Sequence, residues 1–528
     1  MIGEALDHIT SWFNPAQAAR RSHARRIYQG SRQVNRAYEG AKHDRTNANW
    51  MTSNRSPDAE LMGGANIIRA KARDLVRNNA YARGIMNALI RNVVGCGIVP
   101  QARVQNDSGE PIEAINDQCD TLFDRWARVA DAGGRLTFWE IQRLAYREVI
   151  EAGECLIHFT TIEDDRSRPV SLALELIDAD RLAEDYLALR RVGIADGHEI
   201  RRGVEVDSLG RAVAYWLYPG HPADIASAFV TPIRRPASEF IHLYKCDRIG
   251  QTRGISLFAP LISWLKNLGY YVDNELQASA VASCFTAVIK TIDGPASGGL
   301  LAGDETENTD ADANKFEYLQ PGMVARMMPG ESIESVDPSR PNASADAWIN
   351  LMLRSMAVGA GLSYERMAKD YSKTNYSSAR ASDLEDRREF RADQMWLSDH
   401  LVGPVWQRFI EAAVLEEKLP IPAAELLIGY DRYSACAYQA PGWEWVDPVK
   451  EAESSQMALD SNLTTLADEL GMRGRDLLDT LKQRKREKDL IDELGLTPEP
   501  VESPSAVASK KSPKQETDDV DEEAPTAA

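Results

Sequence analysis

The chain has 528 residues and carries 61 lysines and arginines against 80 aspartates and glutamates, a formal net charge of −19. Its length allows about two to four compact units with a sizeable core. The negative balance argues against tight adhesion to nucleic acid, because affinity for DNA comes mostly from lysine and arginine contacts to phosphates. Any DNA near this protein would therefore have to slide past it.

Cysteine usage and hydropathy narrow the cellular setting. The six cysteines show neither paired nor CxxC spacing, which favours free thiols in a reducing cytoplasm over disulfides or a zinc site. The N-terminus has no signal-peptide pattern, and no apolar run reaches the roughly 18 residues that a membrane span needs. We therefore expect a protein that is made in the cytosol, without membrane contact, metal or other cofactor.

The first sixty residues combine an amphipathic start with a basic stretch. The apolar residues spaced about one helical turn apart are Ile2, Leu6, Ile9 and Phe13. The basic residues that follow are Arg20, Arg21, Arg25, Arg26, Arg32, Arg36, Lys42 and Arg45, opposed only by Glu39 and Asp44. This basic arm is either a solvated, poorly ordered terminus or a tether to an acidic partner surface or nucleic acid.

Helices and short strands alternate in the next part of the chain. The helices predicted from apolar periodicity are Asn66–Val94 as one or two helices, Ile112–Val129, and a helix from an N-cap at Thr137 to Ala152. The predicted strands are CLIHFTT from Cys155, LALELI from Leu172, the hairpin GVEVDSLGRAVAYWLY from Gly203, and EFIHLYK from Glu239. Short strands between helices predict an α+β body.

Several local patterns could be sites, and each has a simpler interpretation. The GCG turn after the first helices is not a dinucleotide-binding loop, which would follow a strand and open a helix. Asp178 and Asp180 after a strand could bind a divalent metal, but no third ligand or histidine stands at useful spacing, so a turn is favoured. His158 is expected to face solvent or to be satisfied in the core. The absence of GxxxxGK(S/T) argues against an ATP-driven motor.

A long helix is predicted from Ser256 to about Ile289 by apolar residues at helical spacing. At about 1.5 Å per residue it would span roughly 50 Å, which suits a strut better than a core helix. Residues 291–345 then break the pattern with a Gly-rich segment, an acidic loop and short strands separated by Pro321-Gly322 and Pro329-Gly330. A small β-rich lobe at the tip of two helices is the simplest geometry.

The second of these helices is predicted over SADAWINLMLRSMAVGAG, residues 344–361. Its expected buried face is Trp348, Leu351, Met352, Ser355, Met356 and Gly359. Glycines at the end of the segment should terminate the helix. The polar segment up to Ser378 has no apolar period and is predicted to be an ordered but mobile loop.

A longer helix is predicted to begin at an N-cap at Ser377 or Ser378. Its first turns, SDLEDRREFRAD, offer only Leu384 and Phe390 to a core, so its own subunit's interior should not hold it, and we expect it to be solvated or laid against charged neighbours. Pro404 is expected to kink or interrupt it. Beyond it, residues 428–445 are strand-like, residues 447–496 are helical with a break at two glycines, and the tail from residue 497 should be disordered.

Several blocks of the sequence resemble the lambda-type portal proteins of tailed bacteriophages. The central blocks are PGMVARMMPGESIE from Pro321 and SMAVGAGLSYERMAKDYSKTNYSSARASDLEDRR from Ser355. The others are NANW, ARDLVRNNAYARGIMNALIRNVVGCG, REVIEAGE, DRIGQTRGIS and GWEWVDPVKEAE. Together they reach from about Asn47 to Leu496, so the chain is similar to this family over most of its length.

The resemblance implies an α+β portal fold assembled in a ring, usually of twelve subunits. The implied parts are the basic arm (1–60), a wing (61–255 and 379–446), a stem of two helices (256–290 and 345–361), a β-rich clip (291–344), a tunnel loop (362–378), a helical crown (447–497) and a disordered acidic tail (498–528). A ring requires head-to-tail contacts that close by rotation, and the charged stretch of the long helix suits such an interface.

The same resemblance implies a structural protein that is no enzyme. It would form the channel at the unique capsid vertex through which double-stranded DNA is packaged by terminase and later ejected, and it would join head to tail. The implied partners are further copies of the chain, double-stranded DNA, the terminase large subunit, the major capsid protein and scaffold, and head-completion or adaptor proteins. The protein would be assembled in the host cytoplasm and end in the virion.

Three groups of residues are predicted to carry these contacts. The channel candidates are Arg366, Lys369, Lys373, Asn375 and Arg380, whose cations would centre the duplex without gripping it, unless they are ordinary surface charges. The subunit-interface candidates are Asp383, Glu385, Arg387, Arg388 and Arg391. The candidates for docking terminase or adaptors on the clip are Asp304, Glu305, Glu307, Glu331 and Glu334.

Two other functions stay open from the sequence. A divalent-metal-dependent nuclease or hydrolase would use Asp178, Asp180 and Glu154 to bind Mg²⁺, although the ligand set is incomplete. Another head-tail adaptor or scaffold component would lack the paired helices that flank a lobe.

Overall fold

The computed structural model describes residues 54–184, 194–224, 231–284, 288–291, 331–334, 345–443 and 448–496, with the backbone alone at 281–284, 288–291 and 331–334. Most of the basic arm, the acidic loop predicted for the clip and the tail 498–528 lie outside these ranges. The chain divides into two compact units, residues 1–60 and 61–528. None of the helices in the described ranges combines the length and apolar character needed to cross a membrane.

The first helices begin where the sequence provides caps. The Asn79 side chain accepts hydrogen bonds from the backbone N–H groups of Tyr81 and Ala82, which ends one predicted helix and starts the next. Thr137 and Glu140 form a capping box. These predicted helices are confirmed. The elements are α1 (Pro57–Leu61), α2 (Ala65–Asn78), α3 (Ala80–Val93), strand β1 (Val99–Ala102), α4 (Glu113–Ala127) and α5 (Phe138–Ala152).

Two antiparallel sheets follow and confirm the predicted strands and hairpin. The strands are β2 (Glu154–Thr161), β3 (Leu172–Ile177), β4 (Glu199–Arg201), β5 (Val204–Val206), β6 (Ala212–Leu217), β7 (Ile233–Pro236) and β8 (Phe240–Tyr244). One sheet has the order β3-β2-β8 and the other β4-β5-β6-β7. Cys155 and Ile157 of β2 join the main core with the helices, whereas Leu156 packs with Val204 of the second sheet. Strand β2 is thus buried on both faces.

The predicted long helix is shorter than expected. It is α6 (Ile262–Cys284), about 34 Å long, and not Ser256–Ile289. It starts only after Pro260, because proline lacks an N–H and disfavours helical backbone at the residue before it. Val288 lies on strand β9 (Val288–Thr291), as its β-branched neighbours favour, and β9 pairs antiparallel with β10 (Glu331–Glu334). The rest of the predicted β-rich lobe lies outside the described residues.

Helix α7 (Ala345–Ala360) matches the second predicted helix in length, but its buried face differs from the prediction. Met352 and Met356 are buried as expected, whereas Trp348 and Leu351 are 50% and 55% exposed. Ser355 and Gly359 are also exposed. The buried face is rotated toward the small residues Ala357 and Ala360, which allow close packing against α6. The buried partners on and just before α6 are Leu261, Leu265 and Leu268.

The segment predicted to be a loop contains a short helix, α8 (Tyr364–Ala368), because Leu362 and Met367 are buried against the core. The next helix is α9 (Tyr376–Leu397), and its N-cap is Asn375 in place of Ser377 or Ser378. A π-helical turn, Ser398–Val402, interrupts it before α10 (Gly403–Leu415). Pro404 stands in the first turn of α10, so the predicted interruption is confirmed.

The remaining described chain is more helical than predicted between residues 428 and 445. Only β11 (Cys436–Gln439) is a strand there, and it pairs antiparallel with β1. The predicted helical region after residue 447 is confirmed, with its break near Gly471 and Gly474. The helices are α11 (Ala423–Ile428), α12 (Tyr430–Tyr433), α13 (Pro448–Asp460), α14 (Leu466–Gly471) and α15 (Leu477–Glu493).

An aromatic cluster in the main core joins the early and late parts of the chain. Phe123 of α4 lies with its ring centroid 5.2 Å from that of Trp406 and 5.1 Å from that of Phe409, both on α10. Trp126 and Phe138 complete the cluster, and all five rings are buried. This core fixes α9, which leads into α10, against α3 and α5.

Candidate functional site

The segment between α7 and α9 is anchored by a buried carboxylate that the sequence did not single out. Asp386 on α9 is 4% exposed. Ser363 donates to it from its backbone N–H at 2.8 Å and from its hydroxyl at 2.7 Å. The carboxylate thus fixes the start of α8 against α9. The predicted mobile loop is therefore held by polar contacts inside its own chain.

Arg366, a predicted channel residue, belongs to the same anchor. Its Nε lies 2.8 Å from an Asp386 oxygen, and it forms a second ion pair with Asp383. The guanidinium also donates to Asn92 at 2.8 Å and lies 5.1 Å from the centre of the Phe390 ring. The side chain is 19% exposed. Its charge is balanced within the chain by Asp383 and Asp386, and these contacts tie the segment to α9.

The other predicted channel residues are closer to the surface. Lys369 is exposed, has left-handed backbone with a φ of +55°, and forms no ion pair among the described residues. Lys373 lies 3.5 Å from Asp346, with both side chains more than two-thirds exposed, so the pair adds little stability. Asn375 accepts a hydrogen bond from the Ser378 N–H as the cap of α9. Arg380 lies 3.7 Å from Glu451 of α13.

Helix α9 is held by its own chain, which corrects the expectation that so polar a helix could not be. Phe390 and Leu397 are buried, and so are Asp386 and Gln394. The Gln394 amide donates to the carbonyls of Val93 and Pro441 at 3.2 and 3.0 Å. Buried polar side chains with partners replace the apolar contacts that the sequence lacks.

The interface candidates on α9 differ in their surroundings. Asp383 and Arg387 lie 2.7 Å apart and are each about one-fifth exposed. Glu385, Arg388 and Arg391 are exposed. Of the docking candidates, Glu331 and Glu334 stand at the two ends of β10, and the other three lie outside the described residues.

The carboxylates of the alternative metal-dependent function are brought together but are paired with arginines. Arg73 donates to both oxygens of Asp178, at 2.8 and 2.9 Å, and Arg69 and Arg73 both contact Asp180. Although burial opposes ionisation, these arginines lower the pKa of Asp180. His221, which the sequence did not suggest, lies 3.4 Å from Asp180 and completes a possible ligand set. Two cations already neutralise this set, so the geometry disfavours Mg²⁺.

Glu154, the third carboxylate of that alternative, is used elsewhere. Both Glu154 and Arg253 are fully buried, and the Arg253 Nε lies 2.8 and 2.7 Å from the two carboxylate oxygens. His242 lies 3.0 Å from Glu154, and the Gly254 N–H donates to it at 3.2 Å. Burial opposes ionisation, but Arg253 and His242 together hold the pKa of Glu154 well below its ordinary value. This cluster ties β2 to β8 and to the segment before α6.

Glu148 on α5 gives a pH-dependent prediction. Burial, followed by repulsion from Asp178, raises its pKa to about 7, with Arg73 at 3.7 Å opposing this. The pKa of Glu148 is higher in the folded than in the unfolded state, where it is about 4.3. The folded protein therefore loses stability as the pH rises from about 4.3 to about 7, because Glu148 ionises more readily in the unfolded chain. We expect the difference in unfolding free energy between the Glu148→Gln variant and wild type to shift in favour of the variant by about 1–2 kcal/mol when the pH is raised from about 5 to about 8. Urea unfolding at both pH values measures it, and a pH-independent difference would contradict it.

Comparison with known proteins gives consistent matches to one family. The family model described as "Phage portal protein, lambda family" matches residues 43–394. A probable portal protein of Halomonas phage phiHAP-1 is 25% identical over 498 residues, 91% of this chain and 90% of that protein. The portal protein of Escherichia phage N15 is 23% identical, covering 89% of this chain and 93% of its own length. Portal protein B of Escherichia phage lambda is 22% identical, covering 85% and 88%.

Solved structures also match at low similarity. A chain from the neck of an empty GTA particle, computed with C6 symmetry, has a TM-score of 0.39 and 12% identity, and the match covers 78% of this chain and 94% of that one. A chain from the neck of a native GTA particle, computed with C12 symmetry, has a TM-score of 0.37 and 12% identity, covering 77% and 96%.

Proposed function

The chain belongs to the lambda family of phage portal proteins, and from this premise we propose that its copies close into a ring whose central channel passes double-stranded DNA. In this ring α6 and α7 form the stem and residues 362–378 face the channel. The subunit has a mechanical role: it guides the duplex during packaging and ejection and joins the head to the tail.

Exposed apolar side chains on the paired helices carry this proposal. The largest on α6 are Trp264, Tyr270 and Leu276, and those on α7 are Trp348, Leu351 and Val358, all between 46% and 82% exposed. A soluble monomer rarely shows so many large apolar groups on neighbouring helices, because their contact with water is unfavourable. Neighbouring copies in a ring would cover them, since a closed ring presents each subunit with a partner on two sides.

The channel role is supported by the contrast between a fixed segment and its exposed lysines. Asp386 and Arg366 anchor the segment, while Lys369 and Lys373 extend from it into solvent. Repeated around a ring, these lysines would place weak positive charges along the path of the duplex. Each contact is screened by salt within about 8–10 Å and is easily broken, so DNA is centred without being held.

We further propose the contacts that follow from a place at the capsid vertex. The clip, which includes Glu331 and Glu334, would dock the terminase large subunit during packaging and head-completion or adaptor proteins afterwards. The wing would contact the major capsid protein and scaffold during assembly in the host cytoplasm.

The loop assignment predicts a separation of assembly from DNA transport. The Lys369→Ala/Lys373→Ala variant is expected to form rings normally but to lose several-fold in packaged or retained DNA, because the channel loses its exposed cations. Rings are counted by negative-stain microscopy, and DNA is measured per head in a packaging reaction. The matched control, Lys71→Ala/Lys418→Ala, removes two exposed lysines elsewhere. Wild-type packaging by the loop variant would contradict the channel assignment.

A further inference from the structure

The charges of α9 fall into two groups with different surroundings. The first group has partners within the chain: Arg380 with Glu451, Asp383 with Arg387, Asp386 with Ser363 and Arg366, and Asp393 with Tyr146 and Lys245. The second group is Glu385, Arg388, Glu389 and Arg391. These four are exposed, and within the described ranges none of their side chains has a hydrogen bond or ion pair.

The unpaired charges are separated by sign around the helix. At about 100° per residue, Glu385 and Glu389 lie within about 40° of each other around α9 and Arg388 and Arg391 within about 60°, with roughly 110° between the centres of the two pairs. Arg388 and Arg391 line a cleft of about 450 Å³ between α9 and helices α13 and α14, together with Arg380, Arg387 and Arg473. Among the described residues that line this cleft, five are arginines and only Glu451 and Glu469 are acidic, so this lining is positive overall.

The other flank of the exposed face of α9 is acidic. Glu385 and Glu389 line a second cleft, of about 430 Å³, between α9 and the segment from α7 to α8. Glu365 adds to its negative charge, Asp386 is already paired with Arg366, and Arg354 is the one cation among the described residues that line it. One helix therefore presents a basic side and an acidic side, and both keep charges without partners in the subunit.

We propose that neighbouring subunits join along α9, with the Arg388 and Arg391 side of one copy facing the Glu385 and Glu389 side of the next. This rests on the ring of the proposed function and names the contact that closes it. A head-to-tail contact needs two different complementary surfaces on each subunit, and opposite charges on the two flanks of the exposed face of α9 provide them. Two copies that meet through like sides repel each other, which favours one direction of addition and disfavours a two-fold dimer.

The proposal assigns different roles to the five sequence-predicted interface residues. Glu385, Arg388 and Arg391 lie in the contact, and Glu389 joins them. Asp383 and Arg387 instead hold the helix within its own subunit, because their charges balance each other at 2.7 Å. Charge reversal of the contact residues should therefore change assembly without changing the fold.

Two charge-reversal variants of the full chain test the contact. The basic-side variant is Arg388→Glu/Arg391→Glu, and the acidic-side variant is Glu385→Arg/Glu389→Arg. Each puts like charges at every contact, so each alone is expected to lose the ring species in native mass spectrometry and negative-stain images. Mixed in equal amounts, they are expected to regain rings in which the two variants alternate, because every contact is then again between opposite charges.

A charge reversal elsewhere on the chain is the control for these two variants. Arg125→Glu/Arg128→Glu reverses two exposed arginines of the same spacing at the C-terminal end of α4, where Arg128 is the C-cap, and should leave rings unchanged. Circular dichroism confirms that each variant is folded. Rings formed by either single variant, or a folded mixture that stays unassembled, overturn the α9 contact while the ring itself stands. A wild-type chain that never forms rings overturns the proposed function and this contact together.

Discussion

The Glu154→Ala variant is expected to lose about 3–5 kcal/mol of unfolding free energy, because it leaves the Arg253 guanidinium buried without its counter-charge. Arg253 is 0% exposed, and Glu154 contacts it through both carboxylate oxygens. His242 and the Gly254 N–H lose their acceptor in the same substitution. The Glu154→Gln variant keeps the size of the side chain but not its charge, so it should be destabilised less.

Urea unfolding, followed by circular dichroism, measures this loss against Glu163→Ala, which removes an exposed carboxylate. The pH dependence gives a second check. The pKa of Glu154 is lowered in the folded state, so its contribution is present above the unfolded value of about 4.3 and is lost as pH falls through the folded pKa. The gap between wild type and Glu154→Gln should therefore narrow in acid. A Glu154→Ala variant as stable as Glu163→Ala would show that the pair contributes nothing net.

Much of the fold between residues 61 and 255 could be predicted from sequence because its signals are local. The capping box at Thr137, the alternation in CLIHFTT and the DSLG turn each act over a few residues, and each element formed where it was expected. The Glu154 cluster could not be predicted in this way. Glu154 meets Arg69 and Arg253 at separations of 85 and 99 residues, and nothing near either arginine indicates burial.

The prediction of the buried face of α7 was wrong for a different reason. Helical periodicity in α7 identifies apolar positions but not which of them face the subunit's own core. Met352 and Met356 are buried there, while Trp348 and Leu351 stay half exposed. In the proposed ring, one apolar pattern would serve both contacts inside the subunit and contacts between subunits, and the sequence does not separate the two.

The segment before α9 shows that a polar sequence without apolar periodicity is not necessarily a loop. Helix α8 has only five residues, and two buried apolar side chains with one carboxylate on α9 are enough to fix it. Asn375 and the two serines after it are all good N-caps, so propensity alone could not choose among them. In the structure the Asn375 side chain accepts from the Ser378 N–H, and Arg380 in the first turns of the helix lies 3.7 Å from Glu451 of α13.

The segment before α6 passes so close to the end of α5 that a single methyl group should disrupt it. A Cβ added to Gly254 would lie 2.0 Å from the Gly153 carbonyl oxygen and 2.6 Å from its carbon. Both contacts are with backbone, so neither can be relieved by turning a side chain. The Gly254→Ala variant must therefore move the chain next to Arg253 and weaken the hydrogen bond from the Gly254 N–H to Glu154. We expect a loss of about 4 kcal/mol or more, or failure to obtain soluble protein.

The matched control is Gly269→Ala in α6, where an added Cβ meets nothing within 4 Å and the backbone is helical. That change should stabilise the protein by about 0.5–1 kcal/mol, because alanine loses less conformational entropy in a helix. The two variants add the same atom to the chain and differ only in what surrounds it, so opposite shifts of the urea midpoint would isolate the close approach as the cause. If Gly254→Ala unfolds at the wild-type midpoint, the contact between the two segments is looser than the structure shows, and the Glu154 cluster does not depend on it.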